Sequence, residues 1–211
     1  MTGSLRVPPG RAGRVWLLGR LHTAERGRDL LDRKLRILRR EQQRARSAAE
    51  RTDAEWRRLC AEAETWLLRA TLLAGQRALH QAAPDDPARV QVGWTVVMGL
   101  PYPQEAAVRC GRPAPDAAPA GTTALVEAAA AYRDALQAAA RHAVADETAR
   151  RLDAEVAATG RRLRAVEDRW IPRLRAALHR TELDLEELDH AEGIRLRWAA
   201  GHRADGERPT C

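Results

Sequence analysis

The residues that could carry chemistry are few and scattered. Six histidines (His22, His80, His142, His179, His190 and His202) show no metal-ligand spacing among themselves. His80 alone stands at a position of the apolar seam described below. Cys60, Cys110 and Cys211 are odd in number and far apart, which excludes a disulfide framework and a CxxC zinc site and fits a reduced, cytosolic compartment. No histidine is paired with them in a nucleophile motif. Glu186 and Glu187 are adjacent on a helical stretch, solvated or facing a partner, and do not form an acid/base pair. All but one of the 36 basic residues are arginine. The single lysine, Lys34, sits in Asp32-Arg33-Lys34-Leu35 with no glycine run before it, so there is no phosphate-cradling loop. GxGxxG, GxSxG and HExxH are absent as well. The residues point to no catalytic centre, no cofactor site and no metal site.

What must be positioned is therefore a surface. The 211 residues are 45% hydrophobic and 31% charged, with 4% aromatic and no Phe. Ala, Leu, Arg and Glu dominate, the composition of long helices and coiled coils. The formal charge is +7, and residues 1–51 hold 14 basic and 5 acidic side chains. Such a block can meet nucleic acid, anionic lipid or an acidic protein surface. The arginine bias itself matches a GC-rich coding bias. No apolar run approaches the ~20 residues needed to span a bilayer, and Met1–Pro9 has no apolar core of a signal peptide.

Proline divides the chain. After Pro8 and Pro9 there is none until Pro84; then come Pro87, Pro101, Pro103, Pro113, Pro115 and Pro119; only Pro172 and Pro209 follow. This predicts an N-terminal coiled-coil helix (1–83), a hairpin and linker region (84–121), a C-terminal coiled-coil helix (122–202) and a disordered tail (203–211). In the first helix, alternating steps of four and three run unbroken from Leu17 through Leu21, Ala24, Arg28, Leu31, Leu35, Leu38, Gln42, Ala45, Ala49, Thr52, Trp56, Leu59, Ala63, Trp66, Ala70, Leu73 and Arg77 to His80. That is a heptad seam. Residues 12–80 would span roughly 100 Å at ~1.5 Å each, so they need a second long helix beside them. The second helix, capped by Thr122 or Thr123, offers Leu125, Ala129, Tyr132, Leu136, Ala139 and Ala143. Its register slips near Asp146 and resumes at Leu152, Val156, Thr159, Leu163, Val166 and Trp170. A four-four stutter through Leu174 and Leu178 falls beside Pro172.

In the middle, Val90, Val92, Trp94, Val96 and Met98 alternate as a strand. Gly99–Pro103 reads as a turn, Gln104–Cys110 as a shorter return strand, and 111–121 as a linker. The expected fold is all-α dominated: a long antiparallel two-helix coiled coil with a small β-hairpin insertion.

Three patches carry a resemblance. Pro9-Gly10-Arg11 with Leu17-Leu18-Gly19-Arg20-Leu21 and Leu30-Leu31-Asp32-Arg33-Lys34 resembles the start of the D subunit of V/A-type rotary ATPases. Val97-Met98-Gly99-Leu100 with Pro101 and Pro103 is similar to that family's hairpin. Arg161-Arg162-Leu163, Val166-Glu167, Trp170-Ile171-Pro172-Arg173-Leu174 and Ile194-Arg195-Leu196 are similar to its C-terminal part. Ile-Pro-Arg-Leu inside a helix is the most specific, because proline costs ~3 kcal/mol there. The chain departs from the pattern at Ala191-Glu192-Gly193, where the family carries aromatics, and in having Trp56 and Trp66 on the seam.

The resemblance implies a non-catalytic central rotor shaft, holding no nucleotide, that transmits torque between ATP turnover and H⁺ or Na⁺ translocation. Its implied partners are the hexamer of catalytic A and non-catalytic B subunits, a small F subunit, and a funnel-like subunit leading to the membrane ring. The shaft would be cytoplasmic and peripheral, with no membrane insertion and no direct nucleic-acid contact. The expected partner-facing residues are Arg11, Arg14, Arg20, Arg161, Arg162, Arg164, Ile171, Pro172 and Arg173 along the helices, and Val92, Trp94, Val96 and Met98 on the hairpin. Two plainer alternatives stay open: a solvated arginine face, and a hairpin face packed on the helices. A basic coiled-coil scaffold that binds nucleic acid is the competing reading. Against it, the basic residues face all sides of the helix and no aromatic stacking platform accompanies them.

Overall fold

The computed structural model describes residues 5–83, 86–111 and 122–206, with side chains described to residue 199. The elements are α1 (Gly10–Ala82), β1 (Arg89–Val97), β2 (Leu100–Arg109), α2 (Thr123–Arg164), a π-helical turn (Ala165–Trp170) and α3 (Ile171–Gly206). The described residues are mostly helical, and a two-stranded antiparallel hairpin stands between α1 and α2 in the chain. Most of the linker, residues 112–121, lies outside the described residues, as does the end of the tail, 207–211. The last helix continues to Gly206, beyond the expected end at 202.

The chain forms two compact units, Met1–Arg33 with Gly160–Cys211, and Lys34–Thr159. In the first, the start of α1 pairs antiparallel with α3. Arg11 reaches Asp189 (3.5 Å), Arg14 reaches Glu182 (3.0 Å) and Glu25 accepts from Arg175 (2.8 Å). Leu17, Leu174 and Ala177 form the core, with Leu5, Val7, Trp16, Leu21, Ala24 and Leu178 around it. In the second unit, Lys34 meets Glu155 (2.7 Å), Gln42 and Arg46 both donate to Asp153 (2.7 and 3.0 Å), and Arg141 donates to Glu55 (3.0 Å). Ala70 packs with Ala124, Leu125 and Ala128. Each fully buried leucine contributes ~1.5–3 kcal/mol. Thr159, the one fully buried polar side chain among the described residues, donates to Glu155.

The observed seams correct three expectations. The α1 seam does not hold to His80. Gly75 leaves the helix (φ 75°, ψ 165°), a conformation that costs a residue without Cβ little. Leu73, already ahead of this break, and Arg77 and His80 beyond it are not among the buried residues, and Leu79 packs against the Ala70 cluster instead. Over residues 123–143 of α2 the buried residues are Ala124, Leu125, Ala128, Ala135 and Ala138, not Ala129, Tyr132, Leu136, Ala139 and Ala143. From Ala128 the three-four spacing runs through His142 and Ala149 to Leu152, so no slip occurs near Asp146. This stretch is alanine on several faces, and its larger side chains mark the wrong one.

The third correction is at Pro172. The step from half-buried Val166 to buried Ile171 is five residues, absorbed by the π-turn, in which the Ile171 N–H bonds to the Val166 carbonyl. The wide turn ends one residue before Pro172, which has no N–H to give to the helix ladder. Ile171 thereby takes the inside place expected for Trp170, which is 38% exposed.

In the hairpin, Met98 and Gly99 alone make the turn, both with positive φ (49° and 81°), as a two-residue primed turn requires. Pro101 and Pro103 therefore lie in β2, opposite Val96 and Trp94. Counted from the turn, these are non-hydrogen-bonded pairs, so both prolines sit where an N–H would face outward. The register shifts by one residue between Gly93 and Trp94, with Gln104 the extra residue on β2.

Candidate partner interface

The expected interface residues fall in both units. In the first unit, Arg11 and Arg14 are exposed but held by Asp189 and Glu182. Arg20 lies over the Trp16 ring, 5.1 Å from its centroid. These three therefore have partners within the chain, and the basic block is partly neutralised by the acidic residues of α3. Arg161, Arg162 and Arg164 are exposed, and no ion pair involves them among the described residues. Pro172 is exposed and Arg173 half-buried. Ile171 is 3% exposed. Its side chain closes the helical core and offers nothing to a partner, because the π-turn rotates it inward.

In the second unit, Val92, Trp94, Val96 and Met98 are all exposed, Trp94 by 57%. They do not form a packed layer on the helices. At the turn end of the ribbon, Val97 and Leu100 pack on the cluster of Leu38, Ala45, Ala149 and Leu152. Two α2 side chains fix the ribbon's orientation. Thr148 Oγ1 donates to the Pro103 carbonyl (2.7 Å), and Arg151 Nη1 to the Pro101 carbonyl (3.2 Å). The Arg151 guanidinium also lies 4.9 Å from the Trp94 ring centroid and donates through Nε to Glu147 (2.7 Å). That hydrogen bond, with the charges of Arg151 and Arg150, holds the Glu147 carboxyl below its usual range against an opposing desolvation effect.

Between ribbon and helix lies an open apolar groove of ≈ 520 Å³. Val90, Val92, Trp94 and Ala106 form one wall and Leu136, Ala139, Ala140, Ala143 and Val144 the other, with Glu147 at the margin. Half of the α2 stripe that spacing assigned to the coiled-coil seam, Leu136, Ala139 and Ala143, thus lines this groove. Spacing alone could not tell two apolar faces of one helix apart. Sequence reasoning also missed the polar layer at His142. Its ring stacks on Trp56 (centroids 5.3 Å apart), Nδ1 lies 3.4 Å from Thr52 Oγ1, and Nε2 lies 3.8 Å from Asp53. Trp56 is bulky for a tight two-helix seam; a flat partner ring accommodates it.

Among the described residues no group of three or more His, Cys, Asp or Glu could hold a metal ion, and no helix is long and apolar enough to cross a membrane.

Comparison with known proteins agrees with this geometry. The sequence pattern of the family of ATP synthase D subunits matches residues 17–201. The V-type ATP synthase D subunit of Thermotoga neapolitana is 29% identical over 195 residues, 92% of this chain and 96% of that protein. The one from an Anaeromyxobacter species is 32% identical over 197 residues, 91% and 92% respectively. The matches run through both helical segments and the hairpin without favouring one, and on that extent the chain belongs to the family of ATP synthase D subunits.

Proposed function

We propose that this chain is the central rotor shaft of a V/A-type ATPase. It would be a non-catalytic part that transmits torque between the nucleotide-handling hexamer and H⁺ or Na⁺ translocation in the membrane ring. The observation that carries the reading is the antiparallel helix pair in each unit, stitched across by ion pairs, in a member of the ATP synthase D-subunit family. Two helices locked side by side resist twist and bending better than one. In this reading the helical ends enter the hexamer of A and B subunits, and the asymmetric surface presents a different face to each catalytic interface. Coupling is then differential contact with alternative states of the ring. A small F subunit and a funnel-like subunit bind elsewhere on the shaft, the hairpin face with Val92, Trp94, Val96 and Met98 being offered to the F subunit. The chain would work at the cytoplasmic side, peripheral to the membrane.

Arg161, Arg162 and Arg164 are the residues proposed to run against acidic loops of the ring, since charge attraction tolerates rotation better than interlocked side chains. The test is a reversible lock. With Cys60, Cys110 and Cys211 changed to serine, Arg162→Cys is cross-linked to a cysteine placed in such a loop of the assembled complex. ATP turnover should fall at least ~10-fold on oxidation and return on reduction, a difference of about 1.4 kcal/mol in barrier. Full turnover in the cross-linked complex would overturn the reading.

A further inference from the structure

The alanine seam of the second unit repeats itself. Counted in heptads from the contact of Trp56 with His142, α1 offers Ala49, Trp56, Ala63 and Ala70. Running the other way, α2 offers Ala149, His142, Ala135 and Ala128. Ala49 packs on the cluster that holds Ala149, and Ala70 shares a cluster with Ala128, so the count follows the observed pairing. All of these layers but one are alanine on alanine. The other seam row of α2, Ala124, Ala131, Ala138 and Ala145, is alanine as well. A slide of one heptad, roughly 10 Å along the axis, would set alanine where alanine already stood.

The Trp56–His142 layer is the exception. Its rings are stacked, 5.3 Å apart and 14° from parallel. After a slide in either direction Trp56 meets Ala149 or Ala135, and His142 meets Ala63 or Ala49. Each large ring then enters a layer spaced for alanine. The imidazole also reads the preceding turn of α1, where Nδ1 lies 3.4 Å from Thr52 Oγ1 and Nε2 lies 3.8 Å from Asp53. In the slid registers those two places fall to Leu59 and Cys60, or to Ala45 and Arg46. None of the four carries a side-chain oxygen, so the half-buried ring would lose both polar neighbours. One polar side chain in an apolar seam can fix register in this way. The links of Asp153 and the Leu38–Leu152 cluster lie at one end of the stretch. The Arg141–Glu55 pair beside the layer is nearly half exposed and holds little.

We infer that the Trp56–His142 layer is the register key of the alanine stretch, the contact that keeps α1 and α2 from sliding by a heptad against each other. It stands on the packing of the second unit and does not depend on the rotor reading.

The test traps slid chains as intramolecular disulfides in the full chain, with Cys60, Cys110 and Cys211 changed to alanine. Ala70→Cys with Ala128→Cys reports the observed register. Ala70→Cys with Ala135→Cys reports a slide of one heptad, and in the parent it should oxidise only slowly, being roughly 10 Å out of step. Exchanging Trp56→Ala with Ala63→Trp sets the tryptophan opposite His142 in the slid register. It should speed trapping of the second pair ~10-fold, the scale of one aromatic contact. Adding His142→Ala should remove most of that gain, since the same bulk then has no partner; a merely loosened pair of helices would keep it. The key is overturned if the exchanged variant, helical by circular dichroism, traps the second pair at the parent rate, or if His142→Ala leaves the gain untouched. Should the exchanged variant lose its helicity, Trp56→Ala with His142→Ala decides: faster trapping than in the parent supports the key, and an unchanged rate overturns it.

Discussion

The two units solve the same packing problem with different side chains. In the first, Leu17, Ile171 and Leu174 fill the interface, and half-buried Trp16, Leu21 and Leu178 border it. The second also buries Leu35, Leu38, Leu125 and Leu152, but most of its buried residues are alanine: Ala45, Ala63, Ala70, Ala124, Ala128, Ala135, Ala138 and Ala149. Alanine buries little area per residue, so hydrophobic burial alone holds such a pair weakly. The second unit adds what bulk does not supply. Asp153 takes bonds from two α1 side chains, His142 stacks on Trp56, and the hairpin covers one flank. The first unit joins its helices by bulk and by the exposed pairs of Arg11, Arg14 and Arg175, and among the described residues no ion pair involves Arg161, Arg162 or Arg164. One chain can thus fill one stretch of paired helix with large side chains and another mainly with alanine.

This contrast predicts opposite ways to break the two units. The bulky seam should fail by deletion. Leu174→Ala removes a fully buried side chain and should cost about 2–5 kcal/mol in urea unfolding followed by circular dichroism; a loss below about 1 kcal/mol would mean the helices collapse onto the gap. The small seam should fail by addition. Ala138→Leu, at a position 1% exposed, should cost about 1–3 kcal/mol in the same assay, and a neutral result would mean the alanine pair has slack.

The smallest effect concerns acid. Arg46, then Gln42, hydrogen-bond the Asp153 carboxyl and hold it below its ordinary range, over an opposing desolvation effect. A lowered folded pKa gives stability that is complete above the unfolded value of about 3.9 and is lost as pH falls through the folded value. Asp153→Asn should therefore flatten the acid limb of a stability–pH curve, by no more than about 1 kcal/mol for a partly exposed pair. An unchanged slope between about pH 5 and pH 2 would show that the link carries no stability.

How much of this could be read beforehand follows the same division. Where seam residues are large and the opposite face is charged, spacing finds them: Leu17, Leu35, Leu38, Leu152 and Leu174 are all buried where the heptads put them. Where alanine surrounds the helix, as around 125–144, periodicity has no contrast to work with and follows Tyr132 and Leu136 away from the buried face. The stutter beside Pro172 is visible as a spacing fault, but whether Trp170 or Ile171 points inward depends on which backbone bond is skipped. Prolines at 101 and 103 read as a turn because nothing local distinguishes a turn proline from one on a strand edge. Among the interface candidates, the arginines and the alternating hairpin face were legible as exposed chemistry. Which arginines are already paired was not, since Asp189 and Glu182 lie far from Arg11 and Arg14 along the chain.

The outer edge of β2 has one more consequence. At 101 and 103 it carries no amide hydrogen, and the carbonyls of both residues are occupied by Arg151 and Thr148. A two-stranded ribbon ordinarily presents open edges on which a foreign strand can grow. Here that stretch of β2 offers an incoming strand neither donor nor free acceptor. The ribbon can display Val92, Trp94, Val96 and Met98 to the surroundings while this edge stays closed to sheet extension, so apolar display during synthesis and assembly is separated from the backbone templating that leads to aggregation.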